Sequence, residues 1–417
     1  MPALEHRPRG VRPGQRQQRR EQMSQREVVI LSGVRTAVAD FGGSLKDLAP
    51  TELAGRVVAE ALQRSGLAPT DIGHCVFGNV IHSDRRDMYM GRVAALKGGL
   101  PIETPAMTVN RLCGSGLQAM ISAAQMILLG DCDAAVAGGA ESMSRVPYWV
   151  PKARFGARMG DAVMEDAMTG ALTCPFNDYH MGITAENLSE QYSVTREEQD
   201  ALAAESHRRA QRAIEEGRFK EQILPIEIKT RKGVVVFDQD EHVRFDATDA
   251  DMAKLRPAFK PDGTVTPANA SGINDAAAAV VMMERGAAEA RGLKPMARML
   301  GYSLAGVDPS IMGIGPVPAV RQLMERTGVA IEDVDVWECN EAFAAQALSV
   351  VKELGLDPDK VNPNGSGISL GHPVGATGAL ISLKAICELQ RTGGRYAVAT
   401  MCIGGGQGIA ALFERCE

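Results

Sequence analysis

The chain has 417 residues, 45% of them hydrophobic and 4% aromatic, with a net charge of −6. That length can bury a large core and implies about two or three domains; eight cysteines without a CxxC pair and seven scattered histidines exclude a disulfide scaffold and speak against a zinc or iron centre, so no metal site is expected. The charge is uneven: residues 1–22 hold six arginines against Glu5 and Glu21, a balance of +4, and the acidic remainder at −10 makes nucleic acid an unexpected partner.

No apolar h-region follows those arginines, prolines interrupt them and no amphipathic stripe runs through them. Residues 1–25 therefore read as a disordered basic extension, or as an upstream start ahead of Met23 and the strand-like Glu27–Leu31, with the cytoplasm as the expected location. From Val28 onward short apolar runs alternate with amphipathic helical stretches, the pattern of an α/β protein. Val28–Leu31 predicts a strand, Thr51–Ser65 a helix with Leu53, Val57, Val58, Ala61 and Leu62 facing inward, Cys75–Val80 a strand and Gly91–Lys97 a helix. No run approaches the ~20 apolar residues that span a bilayer, so no membrane partner is expected.

Asn110-Arg111-Leu112-Cys113-Gly114-Ser115-Gly116 ends an apolar approach and opens a helical run through Leu117, Met120, Ile121, Ala124 and Ile127. This predicts a cysteine on a tight turn at the positive end of a helix, where unpaired amides favour the thiolate. Ala134–Ala140 then predicts a buried strand ending in a glycine turn. From Ser142 to about Ala270 the texture becomes charged, irregular and methionine-rich, with one convincing helix, Arg196–Glu216, and a strand at Lys229–Val236. Such mixed sequence reads as an excursion inserted into a sheet domain, since it is not Gly/Ser-rich as a linker would be. The sheet pattern resumes at Ala276–Met283.

Arg64-Ser65-Gly66-Leu67-Ala68-Pro69-Thr70-Asp71-Ile72 aligns without a gap on Arg326-Thr327-Gly328-Val329-Ala330-Ile331-Glu332-Asp333-Val334, an offset of 262 residues at both the glycines and the aspartates. Two copies of one α/β unit would meet at a pseudo-twofold axis. Equivalent turns would converge there: Cys113, then His372 in Gly371-His372-Pro373-Val374-Gly375, then Cys402 in Met401-Cys402-Ile403-Gly404-Gly405-Gly406. Asn340 and Glu341 close a third polar stretch after a strand-like run. A nucleophilic thiol with a histidine base suggests covalent acyl transfer; a second thiol adds reversible deprotonation at carbon. Amides at Cys113 and Gly404 would hold one oxyanion, and His372 with a water on Asn340 another. No phosphate loop or dinucleotide fingerprint is present.

These motifs, and the sequence from about Arg26 to Arg415, resemble the thiolases, most closely bacterial β-ketothiolases and acetyl-CoA acetyltransferases. The resemblance implies a thiolase fold, two duplicated mixed-sheet α/β halves in a layered αβαβα arrangement with an inserted loop domain. The expected boundaries are 26–142, completed by about 273–294, for the first half, 143–272 for the CoA-binding insertion and 295–417 for the second half. It implies acylation of Cys113, acid–base work by His372 and Cys402, and a water held by Asn340. His180 and Met181, in a loop over the thioester, together with Arg244, Phe259 and Ser271, would meet CoA; Met312 and Phe343 would line the acyl pocket. CoA, acetyl-CoA and 3-oxoacyl-CoA would then be substrates, with no resident cofactor, in a homotetramer built from tight dimers. A decarboxylating ketoacyl synthase would not need Cys402, an idle thioester carrier would not need the triad, and a cysteine hydrolase would leave the duplication without a role.

Overall fold

The structure is a computed structural model and describes residues 26–416; the basic extension read at residues 1–25 lies outside them. Among the described residues, strands run in the spatial order Val336–Cys339, Tyr396–Ile403, Gln407–Arg415, Ala297–Gly306, Val28–Arg35, Asn274–Glu284, Ala134–Ser142, His74–Gly78 and Ala106–Val109, with Ala39–Asp40 added beside Asn274–Glu284. The path is two half-sheets of one design. In the first, His74–Gly78 lies parallel to both neighbours, while Ala134–Ser142, Asn274–Glu284 and Val28–Arg35 pair antiparallel. In the second, Val336–Cys339 is parallel to Tyr396–Ile403, two antiparallel pairings follow, and a single parallel bridge from Trp337 to Val361 stands where the first half has Ala106–Val109. Strand pairing between the half-sheets runs over three residue pairs, Val28–Ile30 against Ala297–Met299.

Alternation along the strands builds the layers. Val29, Leu31, Ala277, Ala279 and Val281 pack on one side against Leu53, Val57 and Ala61 of the Pro50–Ser65 helix. Their neighbours Ile30, Ala278, Val280 and Met282 face Leu117, Met120 and Ile121 of the Ser115–Leu129 helix and Leu380 and Ile381 of the Val374–Thr392 helix. Those two helices touch Met401, Ile409, Ala411 and Phe413 of the second half-sheet, whose opposite face, Val398, Ala410 and Leu412, carries the Pro316–Thr327 and Ala344–Leu354 helices. The order is helix, sheet, helix, sheet, helix. A strand buried on both faces has no polar side, which is why Asn274–Glu284 reads as a continuous apolar run. The same burial explains Leu112–Leu129, whose mean hydropathy of 1.5 comes close to that of a membrane span, although the helix it belongs to is the core between two sheets.

The duplication is structural. The Pro50–Ser65 helix ends on Gly66 at φ 73°, a 3-10 turn spans Pro69–Asp71 and a strand starts at His74; 262 residues on, Gly328 at φ 69°, Ile331–Asp333 and Val336 repeat the series.

The insertion corrects two expectations. Lys229–Val236 is a hairpin, Ile226–Thr230 against Gly233–Phe237, turning at Arg231 and Lys232 with Gly233 at φ 126°, a backbone that breaks a strand. The stretch after His180 is a helix, Met181–Gln191, started by the His180 Nδ1 atom accepting the Gly182 N–H at 3.0 Å. The segment is fastened to the sheet by buried Arg35, which holds Asp240 at 2.7 and 2.9 Å.

Candidate active site

Cys113 sits on a braced turn. The Ser115 hydroxyl accepts the Arg111 N–H at 2.9 Å and donates to the Leu112 carbonyl at 2.7 Å, while Asn110 Oδ1 accepts the Leu112 N–H at 2.9 Å. Leu112 is thereby held at φ 45°, a left-handed conformation that costs a non-glycine residue about 1–3 kcal/mol and that surrounding structure must enforce. The helix starts at Ser115, two residues beyond the thiol.

The His372 turn opens the facing helix, Val374–Thr392. Two backbones pass here at a distance that only glycine permits: a Cβ on Gly116 would lie 2.6 Å from the Ala379 nitrogen, on Gly378 2.2 Å from the Leu117 nitrogen, and on Gly139 2.1 Å from the Gly375 oxygen. The glycines of both motifs thus bring the two helix starts together. The His372 backbone N–H donates to Asn274 Oδ1 at 2.9 Å. Its Nδ1 lies 2.7 Å from the Thr377 hydroxyl, which also reaches the Pro373 carbonyl at 3.0 Å. The carbonyl can only accept, so the hydroxyl proton goes there and Thr377 accepts from Nδ1–H. The lone pair is left on Nε2, 3.5 Å from Asn340 Nδ2. Burial pushes the imidazole pKa down to about 4, so the ring is a neutral base at pH 7.

Cys402 ends the buried Tyr396–Ile403 strand, before a turn that needs Gly405 at φ 83° and Gly406 at φ 87°. Burial and the neighbouring Cys113 sulfur both push its pKa up. Cys113 is pushed up as well, by burial first, while the Gly404 N–H and its own N–H act in the opposite sense. The sequence-based expectation of a favoured thiolate is therefore corrected: burial outweighs the helix terminus, and the resting pair is a thiol beside a neutral imidazole.

One cavity joins these groups; Cys113, His180, Met181, Ser271, Met312, Phe343, His372, Cys402 and Gly404 all line it. Asn340 lies behind His372, buried, with an Oδ1 that accepts no hydrogen bond from the protein. Phe259 stands one layer back, stacked on the His180 ring at 4.7 Å and edge-on to Phe343 at 6.4 Å. Arg244 is exposed and outside the cavity lining; its backbone N–H donates to His207 Nδ1 at 3.1 Å. Glu341 is also outside, buried on Ser206 and Asn362 as a structural carboxylate. Sequence reasoning missed Thr377 and Asn274, although both stand inside or beside motifs it singled out. It also missed the apolar wall of Val80, Ile81, Leu112, Met143 and Leu172, which no local pattern distinguishes from core.

Two duplicated α/β halves with a cysteine, a histidine and a second cysteine converging at their junction define the thiolase class. The profile of the thiolase N-terminal domain matches residues 28–286 and that of the C-terminal domain residues 293–415, and the chain belongs to the thiolase family. It is 66% identical to the beta-ketothiolase BktB of Cupriavidus necator, over 94% of this chain and 99% of that protein. Among solved structures it is similar to the acetyl-CoA acetyltransferase of Bacillus anthracis, with a TM-score of 0.91 and 48% identity over 94% of this chain and 99% of that one. The human mitochondrial 3-ketoacyl-CoA thiolase in complex with CoA superposes with a TM-score of 0.91 at 41% identity, over 94% and 98% of the two chains.

Proposed function

We propose that this chain is a β-ketothiolase, an acetyl-CoA C-acyltransferase that condenses acetyl-CoA with an acyl-CoA and, in reverse, cleaves 3-oxoacyl-CoA with CoA. The observation that carries this reading is the second thiol: Cys402 shares the cavity with Cys113 and His372, and the Cys113 sulfur is close enough to add to burial in raising the Cys402 pKa. His372 Nε2 takes the Cys113 proton as the sulfur attacks the thioester carbonyl, the carbonyl oxygen developing charge against the Cys113 and Gly404 N–H groups. The carbon–sulfur bond to CoA breaks, the departing CoA thiolate takes the proton of Cys402, which becomes the thiolate base, and His372 keeps the Cys113 proton on Nε2 until Cys113 leaves again. Cys402 then removes a proton from the α-carbon of acetyl-CoA, and the enolate oxygen is held by His372 and a water on Asn340. The enolate carbon attacks the acyl group, Cys113 leaves as thiolate and recovers a proton, and the product is 3-oxoacyl-CoA.

The CoA chain would enter past His180, Met181, Phe259 and Ser271, with Arg244 at the outer end for its phosphates; Met312 and Phe343 would face the acyl group. CoA enters and leaves as substrate, and no resident cofactor takes part. Fatty-acid metabolism is the setting this chemistry suits. A homotetramer is supported by the apolar side chains that the insertion exposes between residues 148 and 164, among them Trp149, Phe155 and Met159. The cytoplasm suits eight free thiols, two of them reactive.

CoA-dependent cleavage of acetoacetyl-CoA and 3-oxovaleryl-CoA by wild type and Cys402→Ala tests the scheme. Wild type is expected to cleave both. Cys402→Ala is expected to accumulate acyl-Cys113 with turnover reduced by about 10²–10⁴, the contribution of a positioned acid–base group. A folded wild type that cleaves neither substrate refutes the reading.

A further inference from the structure

Glu141 stands one residue from the end of the Ala134–Ser142 strand, fully buried, and the chemistry above does not use it. Four nitrogens donate to its two oxygens. Oε2 accepts the backbone N–H of Val80 at 2.9 Å and of Gly375 at 3.0 Å; Oε1 accepts the Ile81 N–H at 3.2 Å and Asn79 Nδ2 at 3.1 Å. Val80 and Ile81 are cavity wall, and Gly375 is the second residue of the helix that follows the His372 turn. The Gly375 N–H is one of the amides a helix start leaves without an intrahelical partner. A Cβ at position 375 would lie 2.4 Å from Oε2, so glycine is what admits the carboxylate. With an N–H in every contact, only acceptor oxygens fit, and these contacts favour the ionised form against the cost of burial.

We propose that Glu141 is a positioning residue for the thiolase reaction: its carboxylate bolts the turn carrying His372 to the Asn79–Ile81 wall of the cavity and so fixes the imidazole against Cys113. The same charge reaches the nucleophile, since Glu141 adds to burial in opposing ionisation of the Cys113 thiol. Burial, with Asp87 beside it, pushes the Glu141 pKa up to about 8 against the pull of the Val80, Ile81 and Gly375 N–H groups, so the carboxylate carries its full charge in the alkaline range in which Cys113 is alkylated.

The inference rests on the thiolase reading, and Glu141→Gln tests it. The amide would turn an NH2 group toward N–H donors and release either the helix start or the wall. kcat for acetoacetyl-CoA thiolysis is expected to fall about 10- to 100-fold, the cost of a small misplacement at the reacting centre, while KM moves less than about 3-fold. The half-point of Cys113 alkylation by iodoacetamide is expected at lower pH, because a negative neighbour has gone. A folded Glu141→Gln enzyme with wild-type kcat, or with the alkylation half-point unmoved or higher, overturns the proposal. An inactive wild type refutes the thiolase reading, and this proposal with it. Should Glu141→Gln fail to fold, amide hydrogen exchange in native wild type decides: slow exchange at Val80, Ile81 and Gly375 is expected, and exchange at exposed-loop rates overturns the clamp.

Discussion

The reactivity of Cys113 is set by what surrounds it more than by the turn that presents it. The thiol and His372 are both held neutral by burial, so the proton moves only when a thioester arrives to take the charge. The imidazole must then offer Nε2, and the group that secures this is Thr377. Thr377→Val removes the acceptor at Nδ1 and lets the other tautomer form. Thiolysis of acetoacetyl-CoA is expected to fall about 100-fold, within the range general base catalysis contributes, with the folded state retained and KM little changed; unchanged kcat would refute the assignment. Cys113, His372 and Cys402 were legible because a reactive side chain among glycines is an unusual local composition. Thr377 was not: its role depends on the first turn of a helix folding it back over the ring five residues earlier. The thiolate expectation failed for the same kind of reason, since a sequence displays a helix start but not the depth at which it is buried.

The elements owe their arrangement to small residues placed where backbones cross. Gly116, Gly139 and Gly378 let the two central helices start against each other and against the sheet. A methyl on Gly139 would meet the Gly375 carbonyl, which cannot swing away as a side-chain end would. Gly139→Ala is therefore expected to destabilise by about 1–3 kcal/mol, the range for overpacking, read as a lower urea midpoint, and to lower kcat because the His372 turn is what moves. A wild-type midpoint would show that the contact is slack. The duplication was readable in nine residues because helix end, left-handed glycine, proline turn and strand start each demand particular residue types. The hairpin at Ile226–Phe237 was read as one strand because its turn lacks the Asn-Gly or Asp-Gly pair that marks a tight reversal. The Met181–Gln191 helix was missed because its cap is a histidine, outside the usual Ser, Thr, Asp and Asn.

The five-layer packing also makes the molecule acid-sensitive. His207 and His372 are both buried, and both pKa values are pushed down to about 4 from 6.5. His207 Nδ1 must stay unprotonated to accept the Arg244 N–H. Unfolded imidazoles bind protons at higher pH than these do, so the stability the two histidines contribute is full above pH 6.5, is lost as pH falls from about 6.5 to 4, and levels off below, while Glu141 and Glu338, whose pKa values burial raises to about 8 and about 7, act in the opposite sense over the same range. Each histidine contributes up to about 3 kcal/mol of this slope. The difference in urea midpoint between wild type and His207→Gln is expected to shrink as pH falls from 7.5 to 4.5; a difference that stays constant over that range would exclude His207 as a source.

The sequence by itself determined the α/β class, the duplication, the family resemblance and the three reactive side chains, because periodicity, turn chemistry and glycine-flanked reactive residues are local properties of a chain. Only the tertiary structure decided which apolar residues form the cavity wall, which tautomer His372 adopts, that both thiols rest protonated, and that Glu141 joins the His372 turn to Asn79–Ile81. Each of these depends on burial or on backbone contact between segments as far as 234 residues apart, and no local pattern records a distance of that kind.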